Sequence, residues 1–86
     1  MNSIILAKLL FILYPDEIVR IYKEREHKSQ GYQYLTTKGV QDIFENDEDE
    51  YLLDSDLRVT KVGVMYDHDY GYVLEIVVKE IDNESK

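Results

Sequence analysis

Residues 57–78, which read LRVTKVGVMYDHDYGYVLEIVV, decide the fold of this chain. Apolar side chains alternate with other residues in two consecutive runs: Val62, Val64 and Tyr66, then Tyr72, Leu74, Ile76 and Val78. A period of two is typical of β-strands. The runs are joined by Asp67-His68-Asp69-Tyr70-Gly71, in which Gly71 can supply the positive φ that such a turn commonly needs. The segment therefore predicts a C-terminal β-hairpin.

The first run also contains a change of phase. Leu57 and Val59 are two residues apart, as are Val62 and Val64. Val59 and Val62, on either side of Lys61, are three residues apart, so the two pairs would point to opposite faces of a regular strand. One extra residue in a strand restores the register of its partner. We therefore expect a β-bulge near Lys61.

The N-terminal run, residues 4–14, is apolar except for Lys8. It is shorter than the roughly 20 residues that a membrane-spanning helix requires, so no membrane association is expected. Ser3 can cap a helix here and Pro15 can end it.

Apolar residues lie on two faces of this helix. One face is expected to pack on the chain's own sheet and the other on a second copy, which makes a homodimer one expected assembly. The candidates for self-association are Leu6, Leu10, Phe11 and Leu13.

Two further strands are indicated before the acidic segment. Residues 18–22 are rich in β-branched and aromatic side chains and would place Val19 and Ile21 on one face. Residues 32–35 indicate a second short strand or an extended arm before Gly39, whose pairing the pattern leaves open.

A short helix is expected next, with Thr37 as its N-cap. Val40, Ile43 and Phe44 have helical spacing, although a short strand is the alternative. Together these elements predict an α+β fold, in which an N-terminal helix packs on a small antiparallel sheet built from residues 18–22, 57–66 and 72–78. Residues 1–86 are expected to form a single domain with a frayed polar tail at residues 82–86.

The chemistry available to this chain is narrow. It contains no Cys, which excludes disulfides and thiolate chemistry and suits a reducing cytosol, so a cytoplasmic location is expected. Asp67, His68 and Asp69 fall in a turn, where their side chains diverge, and Gly71 and Val78 do not fit the sixth and twelfth positions of a calcium loop. No Gly-rich phosphate loop or paired nucleophile is present. We expect no enzyme activity, no metal and no cofactor.

The charge of the chain points to basic partners. Its formal net charge is −8, which disfavours direct binding to DNA, RNA or anionic lipid. Residues 42–56 concentrate acidic side chains without one Lys or Arg. An extended acidic chain advances about 3.3 Å per residue, close to the roughly 3.4 Å between the phosphates of a DNA strand. The alternative is a solvated connector. The candidate partner-binding residues are Asp42, Glu45, Asp47, Glu48, Asp49, Glu50, Tyr51, Asp54 and Asp56.

Seven of the tyrosines fall into two groups. The chain has eight Tyr and no Trp, and Tyr is enriched at protein interfaces. Those in predicted strands, Tyr22, Tyr66 and Tyr72, are expected to be half-buried. Those in connectors are the interface candidates: Tyr32, Tyr34, Tyr51 and Tyr70.

Several stretches resemble small early-region proteins of phages and prophages of Gram-positive bacteria. They are YPDE at residues 14–17 leading into IVRIY, GVQDI at residues 39–43, residues 57–62, and LEIVV at residues 74–78. The resemblance implies a phage context, in which anti-CRISPR proteins similar in size and charge block Cas9 by occupying its nucleic-acid-binding surfaces. The shared residues are core positions, so no functional residue follows from the resemblance.

The expected function is thus a non-enzymatic phage-derived protein that inhibits or modulates a host nucleic-acid-processing protein through an acidic, DNA-mimicking surface. The alternative is a small structural or assembly protein that self-associates through its N-terminal helix.

Overall fold

The structure, a computed structural model, describes residues 4–25 and 28–81. The described elements are α1 (Leu6–Ile12), β1 (Ile18–Glu24), a 3₁₀ turn (Lys28–Gln30), β2 (Tyr32–Gly39), α2 (Val40–Glu45), a longer 3₁₀ helix (Asp47–Leu53), β3 (Leu57–Asp67) and β4 (Gly71–Glu80). The α+β class, the N-terminal helix and the C-terminal hairpin are confirmed. Within the described ranges, no helix has the length and apolar character needed to cross a membrane.

The four strands form one sheet in the order β2-β1-β4-β3. The pairs β1–β2 and β3–β4 are antiparallel, but β1 and β4 run parallel. The sheet is therefore mixed, whereas the sequence predicted an antiparallel one. The parallel pair arises because the C-terminal hairpin inserts β4 beside β1, and alternation along a strand carries no information about the direction of its neighbour.

The hairpin has the predicted turn and bulge. Gly71 has a φ of 82°, in the left-handed region that glycine adopts without strain. The register of β3 against β4 shifts between Val59 and Lys61, which leaves Thr60 as the extra residue. The phase change in the apolar pattern therefore marked a real bulge.

The helix α1 is shorter than residues 4–14. At its start, Ile4 and Ile5 are extended along the edge of β3, where the Ile4 carbonyl accepts a hydrogen bond from the Val59 N–H at 2.8 Å. At its end, Leu13 is already extended, two residues before Pro15. The predicted cap Ser3 lies outside the described residues, as does the predicted tail at 82–86.

The second helix has a different start from the predicted one. Thr37 is not its N-cap, because it lies within β2 and its hydroxyl accepts a hydrogen bond from Arg20. Gly39 occupies the cap position, and the Val40 and Gln41 N–H groups donate to main-chain carbonyls of residues 15–17. The predicted helical spacing of Val40 and Ile43 is confirmed, since both are buried.

One face of the sheet carries the core. Val19 and Ile21 point to this face, as predicted, and are fully buried with Ile76 and Val78. The helices cover these residues with Leu6, Leu10, Val40, Ile43 and Leu52. Side chains alternate along each strand, so Arg20, Tyr22 and Val77 lie on the opposite face.

Candidate partner-binding surface

The acidic segment is folded and not extended. Its residues 42–53 lie in α2, Asn46 and the longer 3₁₀ helix, in which each residue advances about 2.0 Å, and residues 54–56 lead into β3. The match to the phosphate spacing of DNA, which assumed an extended chain, is therefore wrong. Asn46 begins the 3₁₀ helix by accepting a hydrogen bond from the Glu48 N–H at 3.2 Å.

The period of the 3₁₀ helix separates buried from exposed acids. Residues three apart lie on one side, and Asp49 and Leu52 are the pair that faces the core. The neighbouring acidic side chains are exposed on the other sides, together with those of α2. We call the resulting set the acidic surface: Asp42, Glu45, Asp47, Glu48 and Glu50.

Asp49 does not belong to this surface, which corrects its place among the candidate partner-binding residues. It is 5% exposed, and its carboxylate accepts a hydrogen bond from the Lys38 Nζ at 2.7 Å. The Asp49 carboxylate raises the pKa of Lys38, with smaller contributions from Glu48 and Asp42. A buried carboxylate with one cationic partner is a structural pair, not a docking group.

Lys38 belongs to this site, although the sequence pattern did not identify it as a site residue. It is the only Lys or Arg between residues 29 and 57, and that isolation was the available signal. Lys38, Asp42, Glu45 and Asn46 line a polar depression of about 340 Å³. Two members of the acidic surface, Asp42 and Glu45, therefore lie beside a cation that is already neutralised by Asp49.

The remaining candidates lie apart from the acidic surface. Tyr51, Asp54 and Asp56 line a groove of about 220 Å³ that also includes Lys23 and the start of β3. The Asp54 carboxylate accepts a hydrogen bond from the Asp56 N–H at 2.9 Å, which shapes the turn into β3. Asp56 is only partly exposed. These three residues line a groove separate from the depression beside Lys38.

The predicted self-association residues are also divided. Leu6 and Leu10 are fully buried in the chain's own core, so they are unavailable to a second copy. Phe11 is 80% exposed and its ring packs edge to face against Phe44 at 6.3 Å between centroids. Leu13 and Phe11 line an apolar groove of about 400 Å³ beside α2.

Arg20 and Asp67 form an ion pair on the open face of the sheet that the sequence did not predict. Arg20 also donates to the Thr37 hydroxyl at 3.0 Å. The hydrogen bond from Arg20 and those from the Asp69 and Tyr70 N–H groups hold the pKa of Asp67 below its usual range. The pair ties the hairpin turn to β1 and β2, and it gives the segment at residues 67–69 a structural role.

This ion pair predicts acid-dependent stability. The pKa of Asp67 is lower in the folded than in the unfolded chain, so its stabilisation is present above about pH 4 and is lost as the pH falls through the folded value. Asp67→Asn keeps an oxygen acceptor for the turn but removes the charge. We expect the difference in free energy of unfolding between wild type and Asp67→Asn, measured by urea denaturation, to shrink steadily below about pH 4.

Arg20→Met is the matching variant for the other partner. It removes the largest cause of the pKa shift, so its difference from wild type should decline over the same pH range. A difference between wild type and Asp67→Asn that stays constant from neutral pH into the acid range would contradict a lowered pKa of Asp67.

No protein-family model matches this chain, and searches among curated proteins and solved structures find no match either.

Proposed function

We propose that this protein is a non-enzymatic inhibitor that binds a basic, nucleic-acid-binding surface of a host protein through its acidic surface, in the manner of phage-encoded anti-CRISPR proteins of similar size and charge. The single observation that carries the proposal is the folding of residues 40–50. The chain exposes five acidic side chains there and turns the sixth, Asp49, inward to neutralise Lys38.

The arrangement supports a docking role over that of a solvated connector. A connector needs no fixed backbone, whereas these side chains project from α2 and from a capped 3₁₀ helix. Both elements are anchored in the core, α2 by the fully buried Ile43 and the 3₁₀ helix by the fully buried Leu52. Fixed charges lose less conformational entropy on binding than charges on a mobile loop. Like charges held together also accelerate association with an oppositely charged surface.

The experiment compares two variants of equal net charge. Asp47→Asn/Glu48→Gln neutralises part of the acidic surface, and Asp16→Asn/Asp69→Asn neutralises two exposed acids elsewhere on the chain. Tagged wild-type protein is used to capture partners from a Gram-positive host lysate at low salt. Each captured nucleic-acid-binding protein is then purified and titrated with all three forms in a DNA-displacement assay.

We expect wild type and the Asp16/Asp69 variant to displace DNA equally, and the Asp47/Glu48 variant to bind at least about tenfold more weakly. The affinity of wild type should fall as salt rises. Equal affinity of both double variants would contradict the proposal, as would the recovery of nothing except the protein's own copies.

A further inference from the structure

The strand β3 forms one edge of the sheet, and most of that edge is unpaired among the described residues. Ile4 and Ile5 pair with its outer side at Val59 and Arg58. From Thr60 to Asp67, no other described strand pairs with β3 on that side. Unpaired edge strands present main-chain donors and acceptors that readily pair with another chain.

We call residues 60–67 of β3, which no other described strand pairs on the outer side, the free edge, and this stretch also exposes apolar side chains. Val62, Val64 and Tyr66 are 48%, 71% and 63% exposed, and Tyr72 on the adjoining strand is 74% exposed. The half-buried state predicted for Tyr66 and Tyr72 is therefore wrong, because both lie at the hairpin end, where they pack edge to face on each other. These four residues share one face of the sheet and form a continuous apolar strip.

The opposite edge of the sheet, β2, is not an equivalent docking strand. Its register against β1 shifts between Ile21 and Tyr22, so that Leu35 is an extra residue near the middle of the strand. Such a bulge in mid-strand protects an edge from pairing. In β3 the bulge lies at Thr60, and residues 61–67 beyond it pair regularly with β4.

We propose that two copies of this chain form a two-fold homodimer in which their β3 strands pair antiparallel with Val64 on the axis, joining the two four-stranded sheets. The second copy is the partner because the free edge is complementary to itself. About a two-fold axis, Val64 lies opposite Val64, and Val62 lies opposite Tyr66 of the second copy. Lys61 then lies opposite Asp67 of the second copy, whose carboxylate also pairs with Arg20 of its own chain.

The register is set by two constraints. In a two-fold antiparallel pair a residue lies on the axis, so the alternatives shift the axis by whole residues. An axis at Gly63 would place Asp67 opposite Val59, whose N–H is already bonded to Ile4. An axis at Met65 would place Lys61 opposite Asp69 of the second copy, which lies in the hairpin turn beyond the end of β3. Only the axis at Val64 keeps residues 61–67 of both copies within the free edge.

The dimer does not depend on the acidic surface, which lies on α2 and the 3₁₀ helix. Sedimentation equilibrium of the full chain tests it with Val64→Lys and Phe11→Lys, which place the same charge at two exposed sites. We expect wild type and Phe11→Lys to be dimeric and Val64→Lys to weaken the dimer at least about tenfold, because two lysines would meet on the axis. Monomeric wild type, or dimers of equal strength in both variants, would overturn the proposal.

Cysteine cross-linking tests the register, because the chain has no Cys of its own. Paired residues of antiparallel strands have Cα atoms about 4.5–5.5 Å apart, within the reach of a disulfide or a short thiol cross-linker. Val64→Cys should cross-link into covalent dimers, because the two copies of residue 64 lie opposite each other. Val62→Cys should not, because residue 62 lies opposite Tyr66 of the second copy, four residues away from the other cysteine. Efficient cross-linking of Val62→Cys without Val64→Cys would exclude this pairing even if the protein is a dimer.

Discussion

Replacing Leu10 with Ala should lower the free energy of unfolding by about 3 kcal/mol, the cost typical of removing a fully buried leucine side chain. Leu10 is 0% exposed and belongs to the cluster that joins α1 to the sheet and to the 3₁₀ helix. A small domain has only about 5–15 kcal/mol of net stability, so this single change should remove a large part of it. Urea denaturation monitored by tyrosine fluorescence measures the effect.

The neighbouring residue provides the control. Phe11 is 80% exposed and its ring packs on that of Phe44, so Phe11→Ala should cost less than about 1 kcal/mol. If Leu10→Ala and Phe11→Ala lowered the free energy of unfolding by similar amounts, the face of α1 that carries Leu10 would not be the buried one. The comparison also decides which helix variant can test self-association, since a charge at Leu10 would unfold the chain before it could disrupt a dimer.

Local sequence patterns predicted the helices and strands of this fold but not which strands pair with each other. The hairpin, its bulge at Thr60 and the inward face of Val19 and Ile21 follow from the period of two, because alternation reports which side of a strand is buried. The parallel pairing of β1 with β4 joins segments more than 50 residues apart and leaves no local trace. The shortened α1 has a similar cause, because Ile4 and Ile5 bond to β3 instead of continuing the helix.

The candidate site was predicted at the level of composition alone. The concentration of acids in residues 42–56 located the acidic surface, but a run of like residues does not say which of them faces inward. That depends on a 3₁₀ period starting at Asp47 and on Lys38 reaching across from β2. Charge alone also could not show that the acidic segment is compact, because acidic side chains are compatible with helix, turn and extended chain.

Asp49→Ala should lower the free energy of unfolding by about 2 kcal/mol, because it leaves the Lys38 ammonium, only a quarter exposed, without its carboxylate. Asp47→Asn, two residues away in the same acidic run, should change it by less than about 0.5 kcal/mol, since Asp47 is exposed. Chemical denaturation of both variants at neutral pH measures the difference. Equal costs would mean that the 3₁₀ helix does not turn Asp49 inward.

A double variant shows whether the loss of stability comes from leaving one charge of the Lys38–Asp49 pair without its partner. Lys38→Met alone should destabilise the chain at least as much as Asp49→Ala, because a buried carboxylate then loses its only cation among the described residues. Lys38→Met/Asp49→Leu replaces both charges with apolar groups and should recover at least half of that loss, since neither partner is left unpaired. The recovered variant keeps the acidic surface intact while removing the cation beneath it. If partner binding survives in this variant and fails in Asp47→Asn/Glu48→Gln, then the exposed acids bind the partner and the inward one only supports the fold.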